Sequence, residues 1–156
     1  MLGRLNNSQI EDVLNNQIVG RIGCHADDIT YIVPISYAYD GAYVFAHTFE
    51  GKKISIMRKN SNVCFEVDVI KDMANWQSVV AWGNYEELGQ GDDRDYALEK
   101  LSGRALALFA SETVRLSEDW PFPISDMSEI QGIVFRIRLM QKTGRFEQND
   151  SSSFGS

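Results

Sequence analysis

The chain has 156 residues, of which 44% are hydrophobic and 24% charged, a composition that suits one domain with a single core. Its formal net charge of -7 argues against nonspecific binding to nucleic acid, because a basic surface supplies most of that affinity. The sequence shows no secretory signal core and no apolar run long enough to cross a bilayer, so we expect a cytoplasmic protein without a membrane partner. Its two cysteines, Cys24 and Cys64, are expected to be free thiols.

The first part of the chain predicts a helix followed by three strands. Ser8 and Glu11 have the spacing of a capping box, which opens a short helix. The apolar face of this helix consists of Ile10, Val13 and Leu14. Three segments rich in β-forming residues follow at residues 18–24, 30–39 and 42–47.

Two signals in this region indicate how the strands are arranged. Asp40-Gly41 separates the second and third predicted strands, and it favours a hairpin because a tight primed turn needs positive φ. Pro34 lies inside the second predicted strand and has no N–H to donate. It therefore predicts a sheet edge, a bulge or a break that faces a ligand.

The rest of the chain predicts two more helices and three more strands. Residues 51–59 have helical spacing, and strands are predicted at residues 63–69, 76–88 and 133–140. A third helix begins at Asp92 and runs to about residue 110. The predicted core contacts of this helix are Tyr96, Leu101, Ala105, Leu108 and Phe109. Residues 119–129 are irregular.

Strands dominate this order of elements, so a mainly β fold of the α+β type is predicted for residues 1–147. A meander of this length in one domain must close its sheet or cover its edges. We therefore expect a small antiparallel barrel with peripheral helices. Residues 148–156 are small and polar, and they are predicted to form a disordered tail.

The segment from His47 to Ile54 joins the end of a predicted strand to a helix that starts with Lys52 and Lys53. Unpaired N–H groups in a first helical turn, together with the helix dipole, favour an anion. A phosphate would fit there, with the Thr48 hydroxyl as a further donor. Short basic motifs give many false matches, so on spacing alone two solvated surface lysines are the favoured interpretation.

The block GAYVFAHTFEGKKISIMRKNSNVCFEVDV resembles the signature of FMN-binding proteins related to pyridoxamine-phosphate oxidase, and it is most similar to their nitroimidazole-reductase-like branch. The segments GRIG, YIVPISYAYDG and WQSVVAWGNYEEL fit the same family in the same order, and VFRIRLMQKTGR resembles its last strand. The resemblance covers about Gly20 to Arg145, apart from the third helix and the loop after it. It implies a six-stranded antiparallel split β-barrel that forms a homodimer with FMN bound between the subunits.

The resemblance also implies four groups of cofactor-binding residues. Those that line the isoalloxazine ring, mainly through backbone groups, are Val33, Pro34, Ile35 and Ser36. Those near the ribityl chain and phosphate are His47 and Thr48. Those that pair with the phosphate are Lys52 and Lys53. Those that reach the flavin of the partner subunit are Trp76, Gln77, Ser78 and Val79.

Several of these residues have structural alternatives. Ser36 also fits a satisfied strand edge, and Gln77 also fits a position that faces solvent. Trp76 fits a core or dimer aromatic equally well. For Arg21 a surface salt bridge is favoured over a role as a cation beside the flavin. Arg145 is interpreted as structural rather than as a phosphate ligand.

The implied function is an FMN-dependent oxidoreductase of a small molecule, with His47 as the leading candidate for tuning the flavin or contacting the substrate. The alternatives are a non-enzymatic flavin-binding or redox-sensing protein, and a split barrel that binds haem or a deazaflavin. The arginine-bearing C-terminal segment of the oxidases proper has no counterpart, which argues against a pyridoxamine phosphate substrate. Neither zinc-ligand spacing nor a Gly-x-Ser-x-Gly elbow occurs.

Overall fold

One antiparallel sheet carries most of the secondary structure in the computed structural model, which describes residues 1–104 and 127–149. The elements in chain order are β1 (Leu2–Arg4), α1 (Asn7–Asn16), β2 (Val19–Ala26), β3 (Ile29–Ser36), β4 (Ala38–Tyr39), β5 (Tyr43–Thr48), α2 (Lys52–Lys59), β6 (Asn62–Asp72), β7 (Asn75–Leu88), α3 (Asp92–Ser102) and β8 (Ile133–Glu147). A 3₁₀ turn at Met127–Glu129 precedes β8.

The strand order is β3-β2-β6-β7-β8-β5-β4, and β1 pairs with the far end of β8. β3 and β5 approach each other without pairing, so the sheet curls into a barrel that stays open along this line. The predicted split β-barrel is therefore confirmed. Its six strands are β2, β3, β5, β6, β7 and β8, and the two short strands are additions to them.

The interior of the barrel is the main hydrophobic core. It contains large side chains that are fully buried, such as Phe65 and Phe135. The predicted apolar face of α1 packs onto this core through Ile10, Val13 and Leu14, all of which are buried. The predicted apolar face of this helix is therefore confirmed.

A second, smaller core lies between α3 and the outer side of β5 and β8. Its members are Ala38, Phe45, Ala97, Leu98, Leu101, Ile130 and Val134. Because α3 covers this side of the barrel, β5 is buried on both faces. The same cover explains why Val134 is buried, although the alternation along β8 placed it on the outer face.

The predicted capping box of α1 is wrong in position. The helix is capped by Asn6 and Gln9 instead of Ser8 and Glu11. The Gln9 N–H donates to Asn6 Oδ1 (2.9 Å), and the Asn6 N–H donates to Gln9 Oε1 (2.8 Å). A glutamine amide oxygen accepts this bond as a glutamate would, so the helix begins earlier than the Ser-x-x-Glu pattern indicated.

The predicted strand at residues 30–39 is divided into β3 and β4 by Tyr37. Its N–H donates to the Ile18 carbonyl (3.0 Å), and its hydroxyl donates to the Leu14 carbonyl (2.7 Å). The last strand runs to Glu147, well beyond its predicted end at residue 140, because it pairs with both β7 and β1.

The prediction for α3 holds in part. Leu101 is buried as predicted, but Tyr96 is 42% exposed and is not a core residue. The Tyr96 ring packs edge-on against Phe45, and its hydroxyl donates to Asp40 (3.0 Å). The other predicted contacts lie outside the described residues; they are Ala105, Leu108 and Phe109.

The predicted tail starts with two residues that make hydrogen bonds. Met1 and Gln148 exchange two of them, of 2.7 and 2.9 Å, through their main-chain groups. The Asn149 N–H donates to the Asn75 side chain (3.1 Å). Residues 150–156 lie outside the described residues, so the disorder predicted for them stays a prediction.

Candidate functional site

The first predicted group of site residues lies on β3, at one end of the strand order. β3 pairs with β2 alone and places Pro34 opposite Arg21, so the prediction that Pro34 marks a sheet edge is confirmed. Val33 and Ser36 are half-buried, whereas Ile35 is buried in the core. No strand in the described part of the chain pairs with the other edge of β3. That edge can therefore offer backbone donors and acceptors to a ligand.

The two predicted phosphate lysines occupy the first turn of α2, directly after Gly51. No side chain in the described part of the chain caps the start of this helix, so its N–H groups and dipole are available to an anion. Lys52 Nζ lies 5.5 Å from the ring centre of Tyr31 on β3. Lys53 is half-buried, and burial lowers the pKa of its ammonium group. The electrostatic interaction with the neighbouring Cys24 acts in the opposite direction and raises the pKa of Lys53.

Neither Lys52 nor Lys53 forms an ion pair with a carboxylate of residues 1–104 or 127–149, whereas Lys59 at the other end of α2 bonds to Asp27 (2.6 Å). A half-buried ammonium group that lacks a counter-charge is stabilised by an incoming anion. Because α2 packs against β2 and reaches Tyr31, the structure places this pair of lysines beside β3. The segments predicted to hold the phosphate and the ring are thus neighbours.

His47 and Thr48 end β5, and only 3% and 1% of their surfaces are exposed. His47 Nε2 lies 2.6 Å from the carbonyl oxygen of Gln131, and because a carbonyl can only accept, this nitrogen carries the proton. The imidazole also packs edge-on against Phe49, with 5.4 Å between ring centres. Gly132 has a φ of +94°, and a Cβ there would lie 2.9 Å from His47 Nε2. His47 is therefore a fixed, buried group that ties β5 to the chain before β8.

The fourth predicted group, residues 76–79, lies at the start of β7. Within one chain it does not lie close to β3. β2 and β6 lie between the two strands, so about 14 Å separates them at three strand spacings. Trp76 Nε1–H donates to Glu147 (3.0 Å), and both residues line a cavity of about 230 Å³ together with Gln77. Val79 is fully buried in the core and pairs with Val67 on β6 and Gly144 on β8, so it is not accessible to a ligand within one chain. The contact with a partner's flavin stays a prediction.

A charged cluster on the outer face of the sheet was missed by sequence reasoning. Arg21 donates to Asp68 (2.9 Å) and Glu66 (3.3 Å), and Ser78 Oγ donates to Glu66 (3.2 Å). Burial raises the pKa of the Glu66 carboxyl group, and the neighbouring Asp68 raises it further. Arg21 is thus a salt-bridge partner, as favoured. The two-residue alternation predicts that Arg21, Glu66 and Asp68 each point to the outer face of their own strand. Only the strand pairing shows that these side chains lie next to one another on one surface.

Sequence reasoning also missed Arg104, which follows α3. Its guanidinium donates to Ser36 Oγ on β3 (2.5 Å) and to the carbonyl oxygen of Leu101 (2.9 Å). Arg104 and Ser36 are 68 residues apart in the sequence. Because their contact depends on the packing of α3 against the barrel, no local pattern could have indicated it.

The cysteines are free thiols, as predicted. Cys64 lies opposite Gly23 in the register of β2 and β6, so the neighbouring Cys24 points to the other side of the sheet. Burial raises the pKa of the Cys24 thiol. Within the described ranges, no cluster of His, Cys, Asp and Glu side chains is suited to hold a metal ion. None of the helices there is long and apolar enough to span a membrane.

Known structures share this architecture. An FAD-binding protein from Mesorhizobium loti is 33% identical, with a TM-score of 0.72 over 95% of this chain and 99% of that one. An FAD-binding protein from Mycobacterium smegmatis is 25% identical, with a TM-score of 0.64 over 92% and 98% of the two chains. A candidate 5-nitroimidazole antibiotic resistance protein from Bacteroides thetaiotaomicron shares the fold at 16% identity, with a TM-score of 0.69 over 94% and 87%.

Sequence comparison leads to the same family. An uncharacterized protein from Rhizobium meliloti (strain 1021) is 39% identical over 70 residues, which are 45% of this chain and 46% of that protein. The match therefore spans about half the length of that relative. A sequence profile of the pyridoxamine 5′-phosphate oxidase family matches residues 6–145, which include the six barrel strands except for the last two residues of β8. The chain therefore belongs to the pyridoxamine 5′-phosphate oxidase family.

Proposed function

We propose that this chain is an FMN-dependent oxidoreductase of small molecules. The observation that carries the proposal is a pair of lysines, Lys52 and Lys53, that no carboxylate of the described residues neutralises, at an uncapped helix start beside the edge strand β3. A flavin phosphate would supply the missing negative charge. The FAD-binding relatives, one of them 33% identical over nearly the whole chain, support a flavin as the ligand.

FMN is favoured over FAD because the lysine pair suits a single phosphate group. The nearby cations on α2 are already neutralised: Arg58 bonds to Glu50 and Glu87, and Lys59 bonds to Asp27. The second phosphate of FAD would need a further cation without a partner, and the rest of α2 does not offer one.

In this proposal each part of the site has a separate role. The flavin, when bound, supplies the electron transfer, and the protein supplies its position and electrostatic surroundings. Lys52 and Lys53 bind the phosphate, with Thr48 at the end of the preceding strand. The backbone of residues 33–36 binds the ring, and buried His47 keeps the end of β5 in place through its bond to Gln131.

The experiment that tests cofactor binding is the release of the cofactor from purified protein. We expect a yellow protein whose heat-released cofactor co-migrates with FMN, and not with FAD or riboflavin, in chromatography. FAD in the released fraction would contradict the proposal that the site binds a single phosphate group. The proposal that the chain binds a flavin would still hold. Haem, or no cofactor after reconstitution, would contradict the flavin proposal itself.

The catalytic part of the proposal has its own measurement. Anaerobic holoprotein is mixed with NADH or NADPH while flavin absorbance is followed, and a nitroimidazole is then added. The proposal expects the flavin to be reduced by one of these donors and reoxidised by the acceptor. A bound flavin that neither donor reduces would instead assign a non-enzymatic flavin-binding or redox-sensing role.

We propose further that two copies of the chain form the functional unit. On the outer face of the sheet, Ile32, Trp82 and Met140 are 68%, 43% and 68% exposed and line one open groove of about 470 Å³. Large apolar side chains grouped on one surface mark an interaction site. A second copy would cover this groove, and it would also give the Trp76 segment a flavin to contact.

Trp82→Glu is expected to convert the dimer into monomers and to lower FMN occupancy, because a charge would be buried at the interface without a partner. Light scattering and the ratio of flavin to protein absorbance measure the two effects. Leu2→Glu is the matched control, since it adds the same charge at a 69% exposed apolar position outside the groove. A wild-type monomer that still binds flavin tightly would contradict the dimer.

A further inference from the structure

Arg104 is half-buried at the end of β3, and its neighbours among the described residues do not neutralise its charge. It donates to two uncharged acceptors, the Ser36 hydroxyl and the Leu101 carbonyl. No carboxylate of residues 1–104 or 127–149 pairs with it, whereas Arg136, also half-buried, is held by Glu86 (2.7 Å). Burial lowers the pKa of the Arg104 guanidinium to about 10. Since a guanidinium has five N–H donors, several of them remain for a ligand.

Ser36 provides a second donor at the same place. Because Arg104 donates into Ser36 Oγ, the hydroxyl proton of Ser36 must point away from the guanidinium. Within the described residues, no acceptor takes up this proton. The Arg104 guanidinium and the Ser36 hydroxyl both have N–H or O–H groups that no acceptor among the described residues uses. Such a pair fits a ligand edge that is rich in hydrogen-bond acceptors.

The pyrimidine side of a flavin ring presents such an edge, formed by N1 and the C2 carbonyl oxygen. The opposite, dimethylbenzene side carries methyl groups and would gain nothing from a half-buried cation. The charge of the pyrimidine edge also depends on the redox state. Two electrons and one proton, which is taken up at N5, leave one negative charge shared between N1 and the C2 oxygen.

We propose that Arg104, together with Ser36, binds the N1 and C2-carbonyl edge of the flavin and stabilises its reduced, anionic form. This inference rests on the proposed function, because it requires a flavin along β3. It adds a residue from outside the four predicted groups and assigns it an electrostatic role. The cation favours the reduced over the oxidised cofactor, so it raises the reduction potential of the bound flavin.

Sulfite binding tests the proposal without turnover. Sulfite adds through its sulfur lone pair to flavin N5, and the new N–S bond leaves one negative charge on N1 and the C2 oxygen. No donor, acceptor or proton is needed, and loss of the flavin absorbance band reports the adduct. We expect Arg104→Gln to weaken sulfite binding by about tenfold or more, the loss of one charge-assisted contact. Arg104→Lys, which keeps the charge, should recover most of the affinity.

Two further variants keep the test decisive. Lys100→Gln removes a charge from the exposed side of the same helix and should leave sulfite affinity within about twofold of wild type. Ser36→Ala keeps the guanidinium and removes its partner, so it should weaken sulfite binding even if Arg104→Gln fails to fold. Wild-type sulfite affinity in Arg104→Gln and Ser36→Ala with FMN still bound would overturn the proposal and leave Arg104 as a structural tie. A wild-type protein that binds no flavin would overturn the proposed function, and this inference with it.

Discussion

Lys53→Ala is expected to weaken FMN binding by about tenfold to hundredfold, because it removes a charge-assisted contact to the phosphate. The Lys53 ammonium group is half-buried and has no carboxylate partner among the described residues. Burial lowers its pKa because desolvation disfavours the charged form, so a bound phosphate replaces stabilisation that water no longer provides. Lys52 is exposed and lies over the Tyr31 ring, so solvent screens its charge and Lys52→Ala should have the smaller effect.

The measurement is a titration of apoprotein with FMN at low salt, followed by quenching of flavin fluorescence. Riboflavin is the ligand control, since it lacks the phosphate and its affinity should hardly change. Lys59→Ala is the protein control, because Lys59 lies on the same helix but is already paired with Asp27. If Lys53→Ala and Lys52→Ala both bind FMN like wild type, the phosphate lies elsewhere. If riboflavin weakens as much as FMN, the substitution has disturbed the barrel and the assignment of Lys53 to the phosphate is not supported.

Gly83→Ala is expected to destabilise the fold by about 3 kcal/mol, at the upper end of the cost of overpacking. Gly83 lies on β7 at the point where the register with β8 shifts, next to Trp82. A Cβ at this position would lie 2.0 Å from the carbonyl oxygen of Arg138, which belongs to the backbone of β8. Because a backbone cannot move aside as a flexible side chain can, β7 and β8 must separate locally to admit the methyl group.

Urea denaturation of the two proteins measures this loss, and the variant should unfold at a clearly lower urea concentration. Gly89→Ala is the matched control, because a Cβ at Gly89 meets nothing within 4 Å. It should change the free energy of unfolding by less than about 0.5 kcal/mol. Equal stability of Gly83→Ala and wild type would contradict the close approach of β7 and β8 at this point.

The structure also shows how the two halves of the proposed site are connected across one sheet. Arg21 lies opposite Pro34 on the edge strand and bonds to Glu66, which in turn accepts from Ser78 on β7. A row of polar contacts thus runs from β2, which pairs with the strand expected to line the flavin ring, to the segment of β7 expected to reach a partner's flavin.

Most elements of the fold were predictable because their signals are local. The Asp40-Gly41 hairpin is an example: Gly41 has a φ of +98°, and Asp40 Oδ1 accepts from the N–H groups of Ala42 and Tyr43. The missing N–H of Pro34 likewise restricted it to a sheet edge, a bulge or a break that faces a ligand, and the structure shows the sheet edge. The strand end, glycine and two lysines of the candidate phosphate site lie within eight residues of sequence, but their spacing alone favoured surface lysines, and it was the family resemblance that assigned them to a phosphate.

Contacts between segments that lie far apart in the sequence could not be predicted and are seen only in the tertiary structure. Alternation along β5 and β8 shows which side chains leave the barrel interior, but not that α3 covers them and buries Val134. The tie between Arg104 and Ser36, and the cluster around Arg21, depend on which strands pair and where α3 packs. Periodicity and turn chemistry act over a few residues, so they specify the elements, the hairpin and the lysine pair. Which elements meet depends on the packing of the whole chain, and this alone placed Lys52 beside β3 and, at the end of that strand, a cation that no carboxylate of residues 1–104 or 127–149 neutralises.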